Sequence, residues 1–360
     1  MTGFIKAEKE LVTLGVTLIA SIILKWSPSV RFPEPNAFTI VMSAVIFAAI
    51  IYSATGVVRH AERLSSMLGE PFGTLLLTLT AISVEVIMVA TMMFHGDPDP
   101  GLGRDTIYCT IMILINGLLG LSMLLGGLKF GEQAFNLKSA SSFFSMITAL
   151  VGIGMILPNE VAADRNTIYQ VFSILFCLML YAIFLRMQTK NHSDFFVYGR
   201  VEAKEEHEGG GRGALYHAMF LLFTIAGISL LAEYFSEVVD NSIDALKLPG
   251  QIAPILIAAV IVSPEGLTAI KAGLQNDFQR SLNIILGSVL STIALTVPVV
   301  LIVGLATHRE IFMELDGWRA GLLMITILVG MESSKDGRSN ELQGFIHFSL
   351  FIGFLVGELL

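Results

Sequence analysis

Glu85 and Glu265 each interrupt a run long and apolar enough to cross a bilayer. Glu85 lies in Leu75-Leu-Leu-Thr-Leu-Thr-Ala-Ile-Ser-Val-Glu-Val-Ile-Met-Val-Ala90, and Glu265 in Ile255-Leu-Ile-Ala-Ala-Val-Ile-Val-Ser-Pro-Glu-Gly-Leu-Thr-Ala-Ile270. They stand 180 residues apart in a chain of 360, and both occur as Ser-x-Glu. An acid at membrane mid-depth costs at least ~3 kcal/mol, so it marks a functional site by default. A carboxyl group withdrawn from water favours its neutral, protonated form, whereas a bound cation favours the ionised form. Protons and a cation therefore compete for such a group, and two neighbouring carboxyls titrate as a unit. That competition is the chemistry of exchange: the site is neutralised by one cargo or by the other. Two carboxylates neutralise one divalent ion or two monovalent ones, and all-oxygen ligation suits hard cations such as Ca²⁺ or Na⁺.

The neutral oxygens available to complete such a site are Ser83, Ser263, Asn116, Ser288, Ser291 and Thr292. Hydroxyls in helices often bond back to their own backbone. Ser83 and Ser263 stand out because they recur at one offset from a glutamate, and Asn116 because an amide in a span needs a partner. Pro264 and Gly266 flank Glu265 as helix breakers, and the carbonyl freed by Pro264 is a further oxygen beside the acid. Pro298 reads as a packing kink. His217 and His347 read as packing histidines rather than a proton relay. Arg59, His60 and Arg63 are expected in a loop ahead of the Glu85 span. No cationic side chain inside a span stands as a counter-charge to the two acids.

The elements that carry these residues follow from composition. The chain is 54% hydrophobic and 14% charged, with mean hydropathy +0.74; soluble domains carry about 25% charged residues. An all-α integral membrane protein is expected, because the runs are helix-length rather than the short alternations of a barrel. Cys109 and Cys177 both fall in apolar runs and read as buried thiols. The net charge of −8 points to no nucleic-acid partner. The partners implied are inorganic cations, protons and the lipid bilayer, with no cofactor; a homo-oligomer stays open.

Eleven spans are expected, at 10–26, 38–58, 71–94, 105–127, 141–157, 168–187, 214–236, 248–271, 281–306, 318–331 and 342–360. The tenth is short, and the C-terminus changes sides without it. Lys6 and Lys9 precede the first run, which reads as an uncleaved span. With a cytoplasmic N-terminus and an outer C-terminus, fifteen of the 22 basic residues fall inside, as the positive-inside rule requires. Of the 30 acids, only Glu85 and Glu265 lie deep in spans. The organisation is then an extra helix in 1–37, a five-helix repeat in 38–187, an acidic and glycine-rich cytoplasmic linker in 188–213, and a second repeat in 214–360. Five is odd, so the repeats are inverted, as in many secondary transporters. Glu85 lies about 21 Å beyond Pro71 and Glu265 about 23 Å beyond Gly250 along their helices, so mirrored depths overlap near mid-membrane. In the following spans, Leu114-Ile-Asn-Gly-Leu-Leu-Gly120 lies over Val289-Leu-Ser-Thr-Ile-Ala-Leu295, pairing Asn116 with Ser291.

Several segments carry a resemblance. They are Val57-Val-Arg-His-Ala-Glu62, Leu68-Gly-Glu-Pro-Phe-Gly73, Ser83-Val-Glu85, Phe195-Phe-Val-Tyr198, Ser263-Pro-Glu-Gly-Leu267, and Leu286-Gly-Ser288 through Leu295-Thr-Val-Pro298. The chain resembles the cation/Ca²⁺ exchanger superfamily in its cation/proton branch, and within it the bacterial ChaA-type sodium(potassium)/calcium:proton antiporters. The resemblance implies eleven helices, two inverted repeats, a bacterial inner-membrane location, and repeat glutamates that bind cation or proton; Glu85 and Glu265 match those positions. Calcium/proton exchangers of this kind carry Gly-Asn four and three residues before the glutamate. Here those places hold Ala81-Ile82 and Ile261-Val262, and the residue after the second glutamate is Gly266 rather than histidine. The two missing amides argue against a high-affinity Ca²⁺ site and for a broader selectivity: Ca²⁺ and/or Na⁺, with K⁺ as a further candidate. A transporter exchanging cytoplasmic cation for external protons is expected, with a cation channel or a proton-coupled symporter as alternatives. An intramembrane enzyme is not: no Gly-x-Gly-Asp or His-Glu-x-x-His occurs.

Overall fold

Apolar runs without internal punctuation become helices, and the breaks between them fall where capping residues supply a start. In a computed structural model, the described residues are Gly15, 37–68, 72–94, 99–162, 165–191, 193–196, 213–247 and 249–360. They form α1 (Ala37–Leu68), α2 (Phe72–Phe94), α3 (Leu102–Phe130), α4 (Leu137–Glu160), α5 (Asn166–Arg186), α6 (Ala214–Leu246), α7 (Ile252–Leu274), α8 (Phe278–Thr307), α9 (Gly317–Ser333) and α10 (Glu341–Leu359). Each matches one expected span; of the first candidate, 10–26, Gly15 alone is among the described residues. Eight of the described helices are long and apolar enough to cross a membrane. Side-chain caps mark four starts: Asn136 accepts from the amides of Lys138 and Ser139, Asp277 from Arg280, Asp316 from Arg319, and Asn340 forms a capping box with Gln343. Each satisfies amides that the first helical turn leaves unpaired.

The main correction concerns helix ends. Arg59, His60 and Arg63 are not in a loop: α1 continues through them to Leu68. No proline interrupts 37–68, and hydropathy drops wherever a helix leaves the apolar zone, whether or not the helix stops. Likewise α6 has 33 residues, roughly 50 Å of helix, well beyond the expected 214–236. A second correction is a small antiparallel pairing of β1 (Glu132–Ala134) with β2 (Arg338–Asn340), with Gln133 opposite Ser339. Each strand is three residues long, too short to leave an alternating signature.

The chain divides into two compact units, each drawing on both halves of the sequence: 1–98 with 202–264, and 99–201 with 265–360. The division falls inside α7, between Pro264 and Glu265. In the first unit, α1 packs on α2 and α6, and α2 on α6. Phe47 meets Phe235 at 6.0 Å, and Thr91 and Ser229 hydroxyls pair at 3.1 Å. His60 and His217 are buried and face each other, Nδ1 to Nδ1, at 3.0 Å.

The second unit is threaded up and down. At one end β1 pairs with β2, Gln133 donates to the Gly273 carbonyl at 2.8 Å, and the Asn136 amide donates to Gln279 at 2.7 Å. At the opposite end the Phe312 amide donates to Pro100, the Leu315 amide to Met155, and Asn159 to Leu315. Four helices of this unit widen into π turns, at Ile113–Leu119 in α3, Gly152–Ile156 in α4, Met187–Asn191 at the end of α5 and Thr292–Thr296 in α8. The last sits directly ahead of Pro298, whose ring would otherwise press on the carbonyl four residues back.

Candidate functional site

Glu265 lies midway along α7, half-buried, and its carboxylate accepts a short hydrogen bond from the Ser288 hydroxyl of α8. No basic side chain among the described residues pairs with it. The helix is not broken here: α7 runs without interruption through Pro264 and Gly266 from Ile252 to Leu274. Pro264 has no amide hydrogen, so the Val260 carbonyl four residues back loses its helical donor. Ser263 takes that carbonyl, donating to Val260 at 2.8 Å. The oxygen expected as a bare ligand is therefore already hydrogen-bonded. Gly266 serves packing. A Cβ there would stand 2.5 Å from Leu118 of α3, so the glycine admits the π segment of α3 against the turn that carries Glu265.

Asn116 is fully buried in that π segment. Its Nδ2 donates to Thr326 of α9 at 2.7 Å, and its Oδ1 meets Nδ1 of His347 of α10 at 3.0 Å. Glycines make the meeting with α10 close: a Cβ on Gly120 would stand 2.8 Å from Cβ of His347, and one on Gly344 would stand 2.2 Å from the Leu124 amide nitrogen. Ser291 gives its hydroxyl to the carbonyls of Gly287 (2.8 Å) and Ser288 (3.0 Å) of its own helix. Thr292 is buried at the start of the α8 π turn.

In the first unit Glu85 is buried within α2, at 5% exposure. Ser83 donates to the Leu79 carbonyl at 2.6 Å. Thus Ser83, Ser263 and Ser291 all spend their protons on their own helices, while Ser288 alone gives its proton to a glutamate. A hydroxyl that has donated its proton keeps oxygen lone pairs, so back-bonding leaves each able to face a cation. Among the described residues no three His, Cys, Asp or Glu side chains gather as a metal site.

Sequence reasoning missed one charged cluster of the second unit. Arg319, counted with the outer basic residues, is buried and holds Glu358 through two bonds (3.0 and 2.8 Å) and Asp105 at 3.0 Å. Arg104 reaches the same Asp105 at 2.7 Å. The starts of α3 and α9 and the end of α10 are stapled together by paired charges, which is how buried ions are tolerated. All four residues sit at span ends, where hydropathy cannot tell a solvated charge from a buried pair. Cys109 and Cys177 are buried free thiols.

The family described as sodium/calcium exchanger protein matches residues 38–190 and 216–360. The sodium-potassium/proton antiporter ChaA of Escherichia coli (strain K12) is 33% identical over 355 residues, spanning 97% of this chain and 96% of its own length. A Ca²⁺/H⁺ antiporter of Aphanothece halophytica is 23% identical over 367 residues, spanning 96% and 95%. Among solved structures, native YfkE aligns with a TM-score of 0.71 at 16% identity over 98% of both chains. The H⁺/Ca²⁺ exchanger CAX aligns with a TM-score of 0.68 at 16% identity, over 97% of this chain and 88% of that one. At such identities the structural likeness speaks to the fold alone.

Proposed function

The chain belongs to the sodium/calcium exchanger protein family, and on that premise we propose that it exchanges cytoplasmic cation for external protons across a bacterial inner membrane. Glu85 and Glu265 are the groups that carry cation or proton in turn. The observation that carries this reading is Glu265: a carboxylate inside an apolar helix whose partner is a hydroxyl and not a basic side chain. Such a group is neutralised only by a proton or by a bound cation, and alternating access follows if the site moves only when neutral. The ion is Na⁺ or K⁺ at least as readily as Ca²⁺. The amide positions ahead of both glutamates are Ala81-Ile82 and Ile261-Val262, and fewer strong oxygens suit weaker, less selective binding.

An eleven-helix architecture of two inverted repeats accompanies the proposal. Support comes from the helices that follow the two glutamate-bearing helices. Both α3 and α8 widen into a π turn at mid-length, one enclosing Asn116 and the other directly after Ser291. π turns cluster at functional positions.

Everted membrane vesicles test this. Adding Na⁺, K⁺ or Ca²⁺ to vesicles with an acidic lumen is expected to discharge the pH gradient. Glu85→Gln and Glu265→Gln each abolish the discharge while the protein still accumulates in the membrane. Exchange at the wild-type rate in either variant refutes the role of that glutamate. Cation addition that moves protons in the same direction as the cation indicates symport instead, and ion current without proton movement indicates a channel.

A further inference from the structure

Thr326 commits its hydroxyl proton to its own helix, donating to the Leu322 carbonyl at 2.9 Å, with the Met112 sulfur at 3.7 Å as its other acceptor. With the proton directed there, the oxygen accepts toward Asn116, and the group 2.7 Å away is the amide nitrogen. This fixes the Asn116 carboxamide, with nitrogen toward α9 and oxygen toward α10. On the α10 side that oxygen requires a donor, and Nδ1 of His347 stands 3.0 Å from it, so the ring carries its proton on Nδ1. The other ring nitrogen, Nε2, is buried without a hydrogen-bond partner among the described residues. The bond to Asn116 is thus the one polar bond that His347 makes there. An apolar side chain of similar size would fill the place without stranding a buried nitrogen. What the histidine adds is a donor aimed at one amide oxygen.

We propose that His347 is a positioning residue for cation transport, whose Nδ1–H holds the Asn116 carboxamide with its oxygen in a single orientation. This rests on the reading of Asn116 as a neutral cation ligand. An amide free to rotate must be turned oxygen-first by the cation itself, which weakens binding by the cost of fixing that orientation. Held between Thr326 and His347, the oxygen keeps its second lone pair in place for the ion. The π turn around Asn116 and the glycine contacts of α3 with α10 put the two side chains in reach.

Full-length protein reconstituted in proteoliposomes, driven by an imposed pH gradient, gives KM and kcat for Na⁺, K⁺ and Ca²⁺ separately. His347→Leu is expected to raise KM roughly 10- to 100-fold, the range for losing an outer-shell partner of a ligand, with a smaller change in kcat. His347→Asn, whose amide nitrogen can replace Nδ1, is expected to restore KM to near the wild-type value. Asn116→Ala is expected to raise KM comparably, and the double variant to be no worse than Asn116→Ala alone, because the two act through one bond. If Asn116→Ala raises KM and His347→Leu does not, the positioning role is overturned while Asn116 stands as a ligand. If Asn116→Ala leaves KM unchanged for all three ions, the ligand reading falls and His347 with it. Loss of activity in His347→Leu that His347→Asn does not rescue assigns the ring to packing and refutes the proposal. Should His347→Leu not accumulate, Thr326→Val removes the opposite anchor at equal volume, and an unchanged KM there is likewise a refutation.

Discussion

Ser288 donates to Glu265, and under the proposed exchange that pairing suits either cargo. Facing an ionised carboxylate, the hydroxyl donates; facing a protonated one, its oxygen can accept instead. In the proposed cycle the serine can follow the glutamate without moving its backbone. A hydrogen bond to a charged group contributes about 1.5–3 kcal/mol. Ser288→Ala is therefore expected to weaken apparent cation affinity by roughly ten- to a hundredfold, and Ser288→Thr to retain most of it. The measurement is KM for Na⁺ in vesicles at fixed external pH; a wild-type KM for the alanine variant would show that this bond contributes nothing to cation binding. Ser83, Ser263 and Ser291 form no such pair with a glutamate; their hydroxyls go to helix carbonyls.

Helix α10 is held against α3 by backbone contact, and its glycines differ sharply in what surrounds them. A Cβ on Gly344 would stand 2.2 Å from the Leu124 amide nitrogen and 2.8 Å from the Gly120 carbonyl oxygen, whereas one on Gly353 would meet nothing within 4 Å. Gly344→Ala must push two helices apart, costing about 1–3 kcal/mol, and it also draws His347 away from Asn116. Gly353→Ala gains helix propensity, up to ~1 kcal/mol. Thermal unfolding of the purified protein should show a lowered midpoint for the first and an unchanged or raised one for the second. Equal midpoints would mean that the helices close less tightly than the glycine contacts require. None of this was legible in the sequence, because contact between Asn116 and His347 joins positions 231 residues apart. The helices themselves were legible, since each described one fills an expected apolar run. Their ends were not: Arg59 and Arg63 lower hydropathy without ending α1. The two glutamates stand out in the sequence as acids in apolar runs, and their role in exchange belongs to the proposal. The Arg319, Asp105 and Glu358 staple was hidden because each member, taken singly, resembles a solvated charge at a helix end.

Across the second unit, basic residues sort by end. Lys129, Lys138, Lys271, Arg280, Lys335 and Arg338 belong to segments gathered by the β1–β2 pairing and the Gln133 and Gln279 contacts. Arg104, Arg309 and Arg319 belong to the opposite end, where Pro100 and Phe312 meet. Under the positive-inside rule the first end is expected to face the cytoplasm. Lys335 and Arg309 are both exposed, and α9 is the one described helix between them. At 17 residues it is about 25 Å long, short for a hydrocarbon core of about 30 Å. Single substitutions Lys335→Cys and Arg309→Cys, labelled with a membrane-impermeant maleimide, test orientation and span together. The native Cys109 and Cys177 are buried and contribute little background. Labelling of position 335 from the cytoplasmic face and of 309 from the outer face is expected. The reverse pattern inverts the protein in the membrane. Labelling of both from one face means that Gly317–Ser333 does not cross, so α10 runs the other way through the bilayer. Residues Arg319 and Glu358, bonded to each other at 2.8 Å, would then have to share an end that a non-crossing α9 cannot supply. The staple therefore argues, independently of charge counting, for a crossing α9.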